Sequence, residues 1–441
     1  MSAHSAPPPS RQEVIAVMQR PVSRTLARAS LALAAIGAVV FIAGIFLAPD
    51  RAWQALHFNW LFFTSTSSAA VMFAAAQRIT TARWSRPVIR FSEAFVAFLP
   101  VALIILLLEV LVGGRHIFPS FRATPSVHEK AIWLAPGFFT ARVLGVFLVI
   151  TLLSVWYIWT CVRLDVGVTP EWGTSWARGM RDRMRRGFGE ERRELHSTHS
   201  LQGKMAVILA FVWGFGWCDL AFDLSMTLDQ HFQSTLYGWW FFMGGMLCAL
   251  TSLALLARWW RNQLNVPHLI TEITLHDIGK LAFAFTAFWG YLTFGQYLVI
   301  WYGNLAEETH FMRLRLISPW LPMTMAMVLL VFAFPFFGLM GRKPKIAAPW
   351  IIIFSIGSLL GMWMLRYLEV YPSIYGVVTV LPLGFWELAI GLGMLGLWGI
   401  CYFAFLDAFP RMRVFLMTSP FRDEVQVPVD ARTMEPLPAH E

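Results

Sequence analysis

The residues whose types and spacing could move protons are concentrated in the segment Leu275–Thr309. Its sequence, LHDIGKLAFAFTAFWGYLTFGQYLVIWYGNLAEET, has ionisable residues at both ends and is mostly apolar and aromatic between them. This pattern predicts one helix that crosses a membrane. His276, Asp277 and Lys280 lie on its first turns, and Gln296 lies about two thirds of the way along. Polar groups inside a membrane are costly unless they are paired or hydrated, so they are candidates for function.

Two pairs of ionisable residues have helical spacing, and each has two interpretations. Asp277 can pair with Lys280 across one turn. Lys280 is then either a buried partner that exchanges protons with Asp277, or a side chain that extends to the lipid headgroups. Asp219 and Asp223 are four residues apart, and two like charges at low dielectric would favour a protonated carboxyl group. Alternatively, each of them caps a helix or hydrogen-bonds a neighbour.

Further polar residues occur within apolar runs, at two depths. The candidates toward the outer face are Glu109, Asp219, Asp223, Gln296 and Glu387, and those toward the inner face are Glu93, His276, Asp277 and Lys280. We expect an outer half-path for protons formed by Asp219, Asp223, Glu109 and Gln296, and an inner one formed by His276, Asp277, Lys280 and Glu93. The middle layer is mostly apolar, so conduction between the halves would require motion or water.

The composition indicates an integral membrane protein. Of the 441 residues, 57% are hydrophobic and 14% are charged, whereas a soluble protein carries about 25% charged residues. The four cysteines form no CxxC motif, and no histidine lies in the middle of an apolar run. Iron–sulfur ligation and haem binding by this chain are therefore not expected. Nucleotide-binding and HExxH motifs are also missing from the sequence.

Ten apolar runs of spanning length predict an all-α integral membrane protein with ten transmembrane helices. The predicted parts are an N-terminal tail (1–28), a ten-helix domain (29–408) that includes a basic loop (163–204), and a C-terminal tail (409–441). The predicted spans are Ala29–Ala48, Gln54–Ala76, Val88–Val112, Pro136–Val162, Met205–Ser225, Thr235–Ala257, His276–Gly303, Leu316–Met340, Ala347–Leu368 and Leu383–Asp407. The first run follows a long polar lead, which favours an uncleaved span over a signal peptide.

Lys and Arg residues are distributed unevenly between the two sides of these spans. With the N-terminus inside, 26 of the 35 fall in inner segments and 7 in outer ones. Basic loops near span ends stay in the cytoplasm, so both termini are predicted to be cytoplasmic. The same bias explains the net charge of +9, and no nucleic-acid partner is expected. The loop 163–204 is expected to face water or lipid headgroups, or to dock a partner.

Two stretches carry a resemblance to a known family. Asp223–Trp240 and Leu275–Thr309 resemble the paired signature of the second, smaller NrfD-like membrane subunit of alternative complex III, the bacterial quinol:cytochrome c oxidoreductase. In the first stretch the matching residues are Asp223, Met226, Leu228, His231, Ser234, Thr235 and Gly238. In the second they include His276, Asp277, Gly279, Lys280, Trp289, Gln296, Tyr297, Glu307 and Glu308. The chain departs from the family pattern at Thr227 and Ala306.

The resemblance implies a fold, partners and a cellular location. Spans two to five and six to nine would form two four-helix bundles, with spans one and ten flanking them. The partners would be a larger NrfD-like paralogue, an iron–sulfur subunit and cytochrome c subunits, in the bacterial inner membrane. Haem c and iron–sulfur clusters would reside in those partners, and quinol oxidation would fall mainly to the larger paralogue. This chain would then be a scaffold and a candidate proton conduit.

Two other functions stay open at this point. The chain could itself bind quinol in an outer pocket, with His57 or Asp223 as the proton acceptor. It could also be a proton-coupled secondary transporter, because ten spans with buried carboxylates suit that class. Transporters of this kind have matched broken helices at the midplane, and Pro335 and Gly357 do not form such a matched pair.

Overall fold

The computed structural model describes residues 9–19, 24–123, 127–422 and 424, and this part of the chain is helical without a β-strand. Ten long helices follow one another, with shorter helices between them. They are α1 (Arg24–Leu47), α2 (Pro49–Ile79), α3 (Ile89–Leu111), α4 (Pro136–Val168), α5 (Glu191–Leu224), α6 (Leu236–Gln263), α7 (Glu272–Gly303), α8 (Leu321–Gly338), α9 (Ala348–Tyr375) and α10 (Phe385–Ala408).

Helix α2 differs from the other long helices in its polarity. Within the described ranges, nine helices are long and apolar enough to cross a membrane, and α2 is not among them. It carries Gln54, His57, Asn59 and the hydroxyl run Thr64–Ser68, and nearly all its side chains between 52 and 75 are buried by other helices. Because other helices enclose α2, its side chains do not face lipid and need not be apolar. The all-α membrane fold is confirmed, whereas the count of ten spans stays a prediction.

The helices pack as two rings of four. Helices α2, α3, α4 and α5 contact one another in sequence, and α5 returns to α2; we call this group the first bundle. Helices α6, α7, α8 and α9 form the second bundle in the same way, with α9 returning to α6. Contacts of α2 with α6 and α9 join the two bundles, while α1 and α10 pack on each other and against α2. This arrangement agrees with the two bundles and two flanking helices expected above.

Helices α1 and α10 approach each other closely enough for their backbones to touch. A Cβ atom added at Gly37 would lie 2.2 Å from the Cα of Gly393, and one added at Gly396 would lie 2.5 Å from the amide nitrogen of Ala34. Small residues at such crossings allow the close packing that associates helices in lipid. Glycine is therefore required on both helices of this flanking pair.

Both ends of the described chain lie on one side of the bundles. Arg11 pairs with Glu191 at 2.8 Å, and Arg192 pairs with Glu424 at the same distance. We call this side, which also holds the basic segment 163–204, the terminal side, and the opposite side the distal side. The shared side agrees with an even number of crossings.

The predicted loop and the predicted C-terminal tail are more ordered than the sequence suggested. Helix α4 continues to Val168, a short helix covers Arg178–Arg185, and α5 begins at Glu191, so the loop is largely helical. Residues 409–422 pack onto the first bundle, where Met412 and Phe415 are fully buried. The rest of the predicted tail, from residue 425 onward, and residues 1–8 of the N-terminal tail lie outside the described residues.

The glycine contact between α1 and α10 gives a first prediction. Gly37→Ala places a methyl group where the Gly393 backbone lies, so the two helices must separate. We expect a loss of about 1–3 kcal/mol and a lower thermal unfolding midpoint in detergent. Gly145→Ala on α4 is the matched control, because its added Cβ meets no described atom within 4 Å. Equal midpoints for the two variants would contradict the close contact.

Candidate functional site

A buried histidine–glutamate pair lies at the distal end of the first bundle. His57 on α2 and Glu109 on α3 are both fully buried. The Nδ1 atom of His57 is 2.9 Å from Oε2 of Glu109, and its Nε2 atom is 2.8 Å from the carbonyl oxygen of Leu224 on α5. The other carboxyl oxygen of Glu109 is buried and has no hydrogen-bond partner among the described residues.

This geometry determines how many protons the pair holds. A carbonyl oxygen only accepts hydrogen bonds, so Nε2 of His57 must carry a hydrogen. The short contact of Nδ1 with Glu109 then requires one further proton between the two groups. That proton resides either on the carboxyl group beside a neutral imidazole or on the imidazole beside a carboxylate. The His57–Glu109 pair therefore holds one proton that can change its site.

Asp223 on α5 forms a salt bridge with Arg142 on α4. Nε of Arg142 is 2.7 Å from Oδ2 of Asp223, and Nη2 of Arg142 is 2.9 Å from Oδ1. The indole nitrogen of Trp133 also donates to this carboxylate, at 3.0 Å, and its ring lies 3.7 Å below the guanidinium. Asp219 is half-buried one turn away, with an unpartnered oxygen atom, Oδ2, among the described residues. Arg142 therefore gives Asp223 a cation beside the neighbouring carboxylate of Asp219, and the proton-carrying role expected for the two aspartates stays a prediction.

The sequence analysis missed a further buried carboxylate, Glu369 on α9. Arg366 lies one turn before it and donates to both of its oxygens, at 2.7 and 2.8 Å, and each residue is 1% exposed. The hydroxyl of Ser225 lies 3.4 Å from Glu369 and 2.6 Å from the hydroxyl of Tyr237. Arg366 lies near the end of the predicted span Ala347–Leu368, and it donates to the carbonyl of Phe241 inside the second bundle at 2.9 Å.

The end of α5 brings these groups together. Three successive residues there engage different partners: Asp223 binds Arg142, the carbonyl of Leu224 accepts from His57, and Ser225 reaches Glu369. A layer of polar contacts thus runs from the first bundle into the second. We call Glu109, His57, residues 223–225, Tyr237 and Glu369 the distal network. Of its carboxylates, sequence reasoning identified Glu109 and Asp223.

Glu387 forms a separate and fully satisfied site at the distal end of α10. Arg51 donates to both of its oxygens, at 3.1 and 2.7 Å. The hydroxyl of Tyr371 donates at 3.0 Å, and the amide of Gly384 donates at 2.8 Å. This carboxylate caps its own helix and ties α10 to α2 and α9. Its predicted role in a proton path is not tested by this geometry.

Gln296 lies in the second bundle, beside an apolar cavity of about 390 Å³. Trp240, Trp289 and Phe311 line the cavity, and Arg315 and Glu369 contribute its buried polar end. The guanidinium of Arg315 is held by carbonyl oxygens, among them that of Glu369 at 3.1 Å. The cavity therefore meets the distal network at Glu369.

The terminal end of the first bundle contains a second buried charge cluster. Glu93 on α3 is fully buried and interacts with Arg90, at 2.8 Å, and with Arg413 from the C-terminal segment. Arg90 also binds Asp165 of α4, which accepts a hydrogen bond from the amide of Phe415 at 2.8 Å. We call Arg90, Glu93, Asp165 and Arg413 the terminal cluster. Sequence reasoning identified Glu93 in it, whereas Asp165 and Arg413 fall in the predicted loop 163–204 and the predicted C-terminal tail.

Buried hydroxyl groups occupy the depth between the two ends of the first bundle. Ser68 on α2 accepts hydrogen bonds from the indoles of Trp213 and Trp217, both at 2.9 Å. On the helices of the first bundle, the buried hydroxyls without a hydrogen-bond partner in the described part of the chain are those of Thr64, Ser67, Thr151 and Ser154. Buried polar groups of this kind are commonly satisfied by ordered water. The middle layer is thus less apolar than the sequence pattern indicated.

His276, Asp277 and Lys280 lie at the terminal end of α7, away from Glu93. Nζ of Lys280 is 2.7 Å from Oδ1 of Asp277, but the Lys280 side chain is 55% exposed. The pairing is confirmed, and the buried, proton-exchanging alternative is wrong because Lys280 extends outward. Glu93 belongs to the first bundle and these three residues to the second, so the predicted inner half-path does not come together at one place.

Comparisons with known proteins give no relative from which a function could be transferred. No family model matches the chain, and no curated protein matches it. Among the described residues, no three His, Cys, Asp or Glu side chains lie close enough together to hold a metal ion.

Proposed function

We propose that this chain is a membrane subunit of a respiratory quinol:cytochrome c oxidoreductase of the alternative complex III type. It scaffolds the complex and conducts protons that are coupled to quinol oxidation. It lies in the bacterial inner membrane with its terminal side toward the cytoplasm, next to a larger paralogue, an iron–sulfur subunit and cytochrome c subunits. The resemblance of Asp223–Trp240 and Leu275–Thr309 to that family supports the proposal, as do the two four-helix bundles.

The proposed role in proton conduction rests on one observation. Polar groups are distributed along the whole first bundle, with the His57–Glu109 pair at its distal end and Glu93 in the terminal cluster. Between them, Thr151 and Ser154 on α4 have buried hydroxyls that lack partners among the described residues. Buried polar atoms that lack partners are expensive, so water is expected beside them.

Each part of the first bundle has its own task in this proposal. Glu93 and Asp165 exchange protons near the terminal side, and water beside the α4 hydroxyls carries protons through the middle. Glu109 receives a proton on its free oxygen and passes the shared proton to His57. Only protons move, so the path needs no oxidant or reductant in this chain. Electrons stay with the haem and iron–sulfur subunits.

The surface of α7 supports the scaffolding role. Tyr291, Phe294, Trp301 and Tyr302 are all more than 60% exposed on its distal half. Tyrosine and tryptophan are enriched both at protein interfaces and at the membrane boundary. In the proposed complex, this aromatic surface packs against a neighbouring subunit.

The partners can be tested directly. When the affinity-tagged chain is purified from its native membrane in mild detergent, we expect c-type haem polypeptides, an iron–sulfur protein and a larger membrane subunit to copurify. Mass spectrometry identifies them, and a reduced-minus-oxidised visible spectrum detects the haem. A colourless homo-oligomer would contradict the proposal and favour a proton-coupled transporter.

The proton path can be tested in the complete complex reconstituted in vesicles. Glu109→Gln keeps a side chain that donates to Nδ1 of His57 but removes the exchangeable proton. We expect quinol-driven proton movement to fall to the passive leak while cytochrome c reduction continues. Lys280→Met is the control, because that side chain is exposed on the second bundle, and proton movement should be unchanged. Normal proton movement in Glu109→Gln would exclude this path.

The cavity in the second bundle favours a second function, quinol binding by this chain. Its volume of about 390 Å³ and its lining by Trp240, Trp289 and Phe311 suit an aromatic ring with an apolar tail. Gln296 and Glu369 provide the polar end. The acceptor of a quinol proton would then be Glu369, rather than the His57 or Asp223 expected from the sequence.

Quinol binding in this cavity predicts the effect of filling it. Met327→Trp places a larger side chain at a buried lining position, and we expect cross-linking by a photoreactive quinone to be lost. Met325→Trp is the control, because Met325 is 60% exposed and does not line the cavity. Peptide mapping of the cross-links is the measurement. Equal labelling of both variants would exclude the cavity as a quinone site.

A further inference from the structure

The apolar cavity of the second bundle is open to the side, between α7 and α8. Two of its lining residues on α7, Phe294 and Tyr297, are 62% and 41% exposed. Val328 on α8 and Leu316 in the connection between the two helices also line it, and they are 36% and 43% exposed. A side chain that both lines a cavity and is exposed lies at its opening. We call these four residues the mouth of the cavity.

The packing of α7 and α8 explains where the mouth lies. Nearer the terminal side, a Cβ atom added at Gly290 would lie 2.3 Å from the ring of Phe332, so the two helices touch there. On the distal side, residues 304–320 connect the two helices and include a further short helix, Ala306–Arg315. A connection of this length does not require the distal ends of α7 and α8 to meet. The helices therefore close the cavity at Gly290 and leave it open at the mouth.

The mouth lies at a depth where lipid hydrocarbon is expected. At 1.5 Å per residue, Tyr297 is about 9 Å along α7 from the last residue of that helix. By the same measure, Val328 is about 10 Å along α8 from its first residue. None of the four mouth residues is charged. A charged solute would lose its water at such an opening, so the mouth admits molecules that are dissolved in the lipid.

The polar groups of the cavity are buried, in contrast to the mouth. Arg315 already donates to carbonyl oxygens, and Glu369 already accepts from Arg366. Gln296 is 5% exposed, and its side-chain amide makes no hydrogen bond with the described part of the chain. An amide both donates and accepts hydrogen bonds, and burial without a partner is costly. A polar group of a ligand is therefore expected beside Gln296.

We propose that the cavity takes up its ligand sideways from the bilayer, through the mouth between α7 and α8. The ligand has a polar ring, which hydrogen-bonds the amide of Gln296, and an apolar tail, which extends through the mouth into the lipid. Trp240 and Trp289 line the inner cavity and give the ring aromatic faces to pack against. The inference rests on the second function proposed above, quinol binding, and adds the route and the orientation of the bound molecule.

The mouth lies beside the aromatic surface of α7 that is proposed to contact a neighbouring subunit. Phe294 belongs to both, whereas Tyr291, Trp301 and Tyr302 do not line the cavity. The tail of the ligand therefore emerges at the edge of that contact.

Two photoreactive quinones test the orientation on the purified full chain in nanodiscs. One probe carries an azide on its ring, and the other carries a diazirine on the first unit of its apolar tail. We expect the ring probe to label the inner cavity around Gln296 and the tail probe to label the peptides that contain Tyr297 and Val328. Peptide mapping by mass spectrometry is the measurement.

The two probes separate failure of the route from failure of the binding function. Ring labelling of the cavity together with tail labelling away from the mouth would overturn the proposed route and leave quinone binding intact. Absence of ring labelling in the cavity would overturn both.

A substitution at the mouth tests the route by its rate. Val328→Trp narrows the opening and should slow labelling by the ring probe about tenfold, the effect of a barrier about 1.4 kcal/mol higher. At long times the labelling should reach the wild-type extent, in contrast to Met327→Trp, where it is lost. Met325→Trp is the control, because Met325 is exposed on the same helix and does not line the cavity.

A substitution at the inner end tests the recognition of the ring. Gln296→Leu removes the amide, and we expect the affinity for the ring probe to fall about five- to tenfold, the effect of one lost hydrogen bond. Tyr297→Phe removes a hydroxyl at the mouth, where the tail lies, and should leave the affinity unchanged.

Equal labelling rates in Val328→Trp and Met325→Trp, or unchanged affinity in Gln296→Leu, would contradict the proposal. Circular dichroism checks that each variant is folded. The mapping of the two probes on the wild-type chain decides the orientation even if a variant does not fold.

Discussion

A polar helix cannot face lipid. The other helices of this fold are arranged so that they enclose one such helix, α2. Helix α2 carries an amide, an imidazole and a run of hydroxyls along its length. Unsatisfied polar groups cost several kcal/mol each in a bilayer, so α2 must be surrounded by protein. Helices α3 and α5 cover it in the first bundle, α6 and α9 in the second, and α10 on the remaining flank. The two bundles meet at α2 because each supplies part of this enclosure.

The same constraint explains where the buried charges lie. Three buried carboxylates near helix ends face an arginine from another element or from the previous turn: Arg142 for Asp223, Arg366 for Glu369, and Arg51 for Glu387. Removal of one member of a buried pair would leave an uncompensated charge, which costs about 3–5 kcal/mol. The Arg142–Asp223 and Arg51–Glu387 pairs join different helices, and they therefore also fix α4 relative to α5 and α10 relative to α2.

The sequence alone predicted the helices, but it did not predict which side chains of different segments meet. Apolar runs of spanning length predicted nearly every helix, and Glu93, Glu109 and Asp223 stood out as ionisable residues in such runs. The arginines that meet buried carboxylates did not stand out, because Arg90, Arg366 and Arg413 lie near the ends of apolar runs, where arginine is ordinarily solvated. Which side chains meet depends on contacts between distant segments, such as Arg413 with Glu93. Glu369 was missed for the same reason, since it follows a predicted span.

The buried carboxylates differ in their chemistry according to the group that each of them faces. A carboxylate that faces arginine has a permanently charged partner, because a guanidinium group does not give up its proton, so any proton that it takes up must come from outside the pair. His57 is different, because each nitrogen of an imidazole can either carry a hydrogen or accept one. Its contact with the Leu224 carbonyl fixes one nitrogen as a donor and leaves the other to share a proton with Glu109. In the described part of the chain, the fully buried acid that faces a histidine is Glu109, and the proton of this pair can therefore lie on either partner.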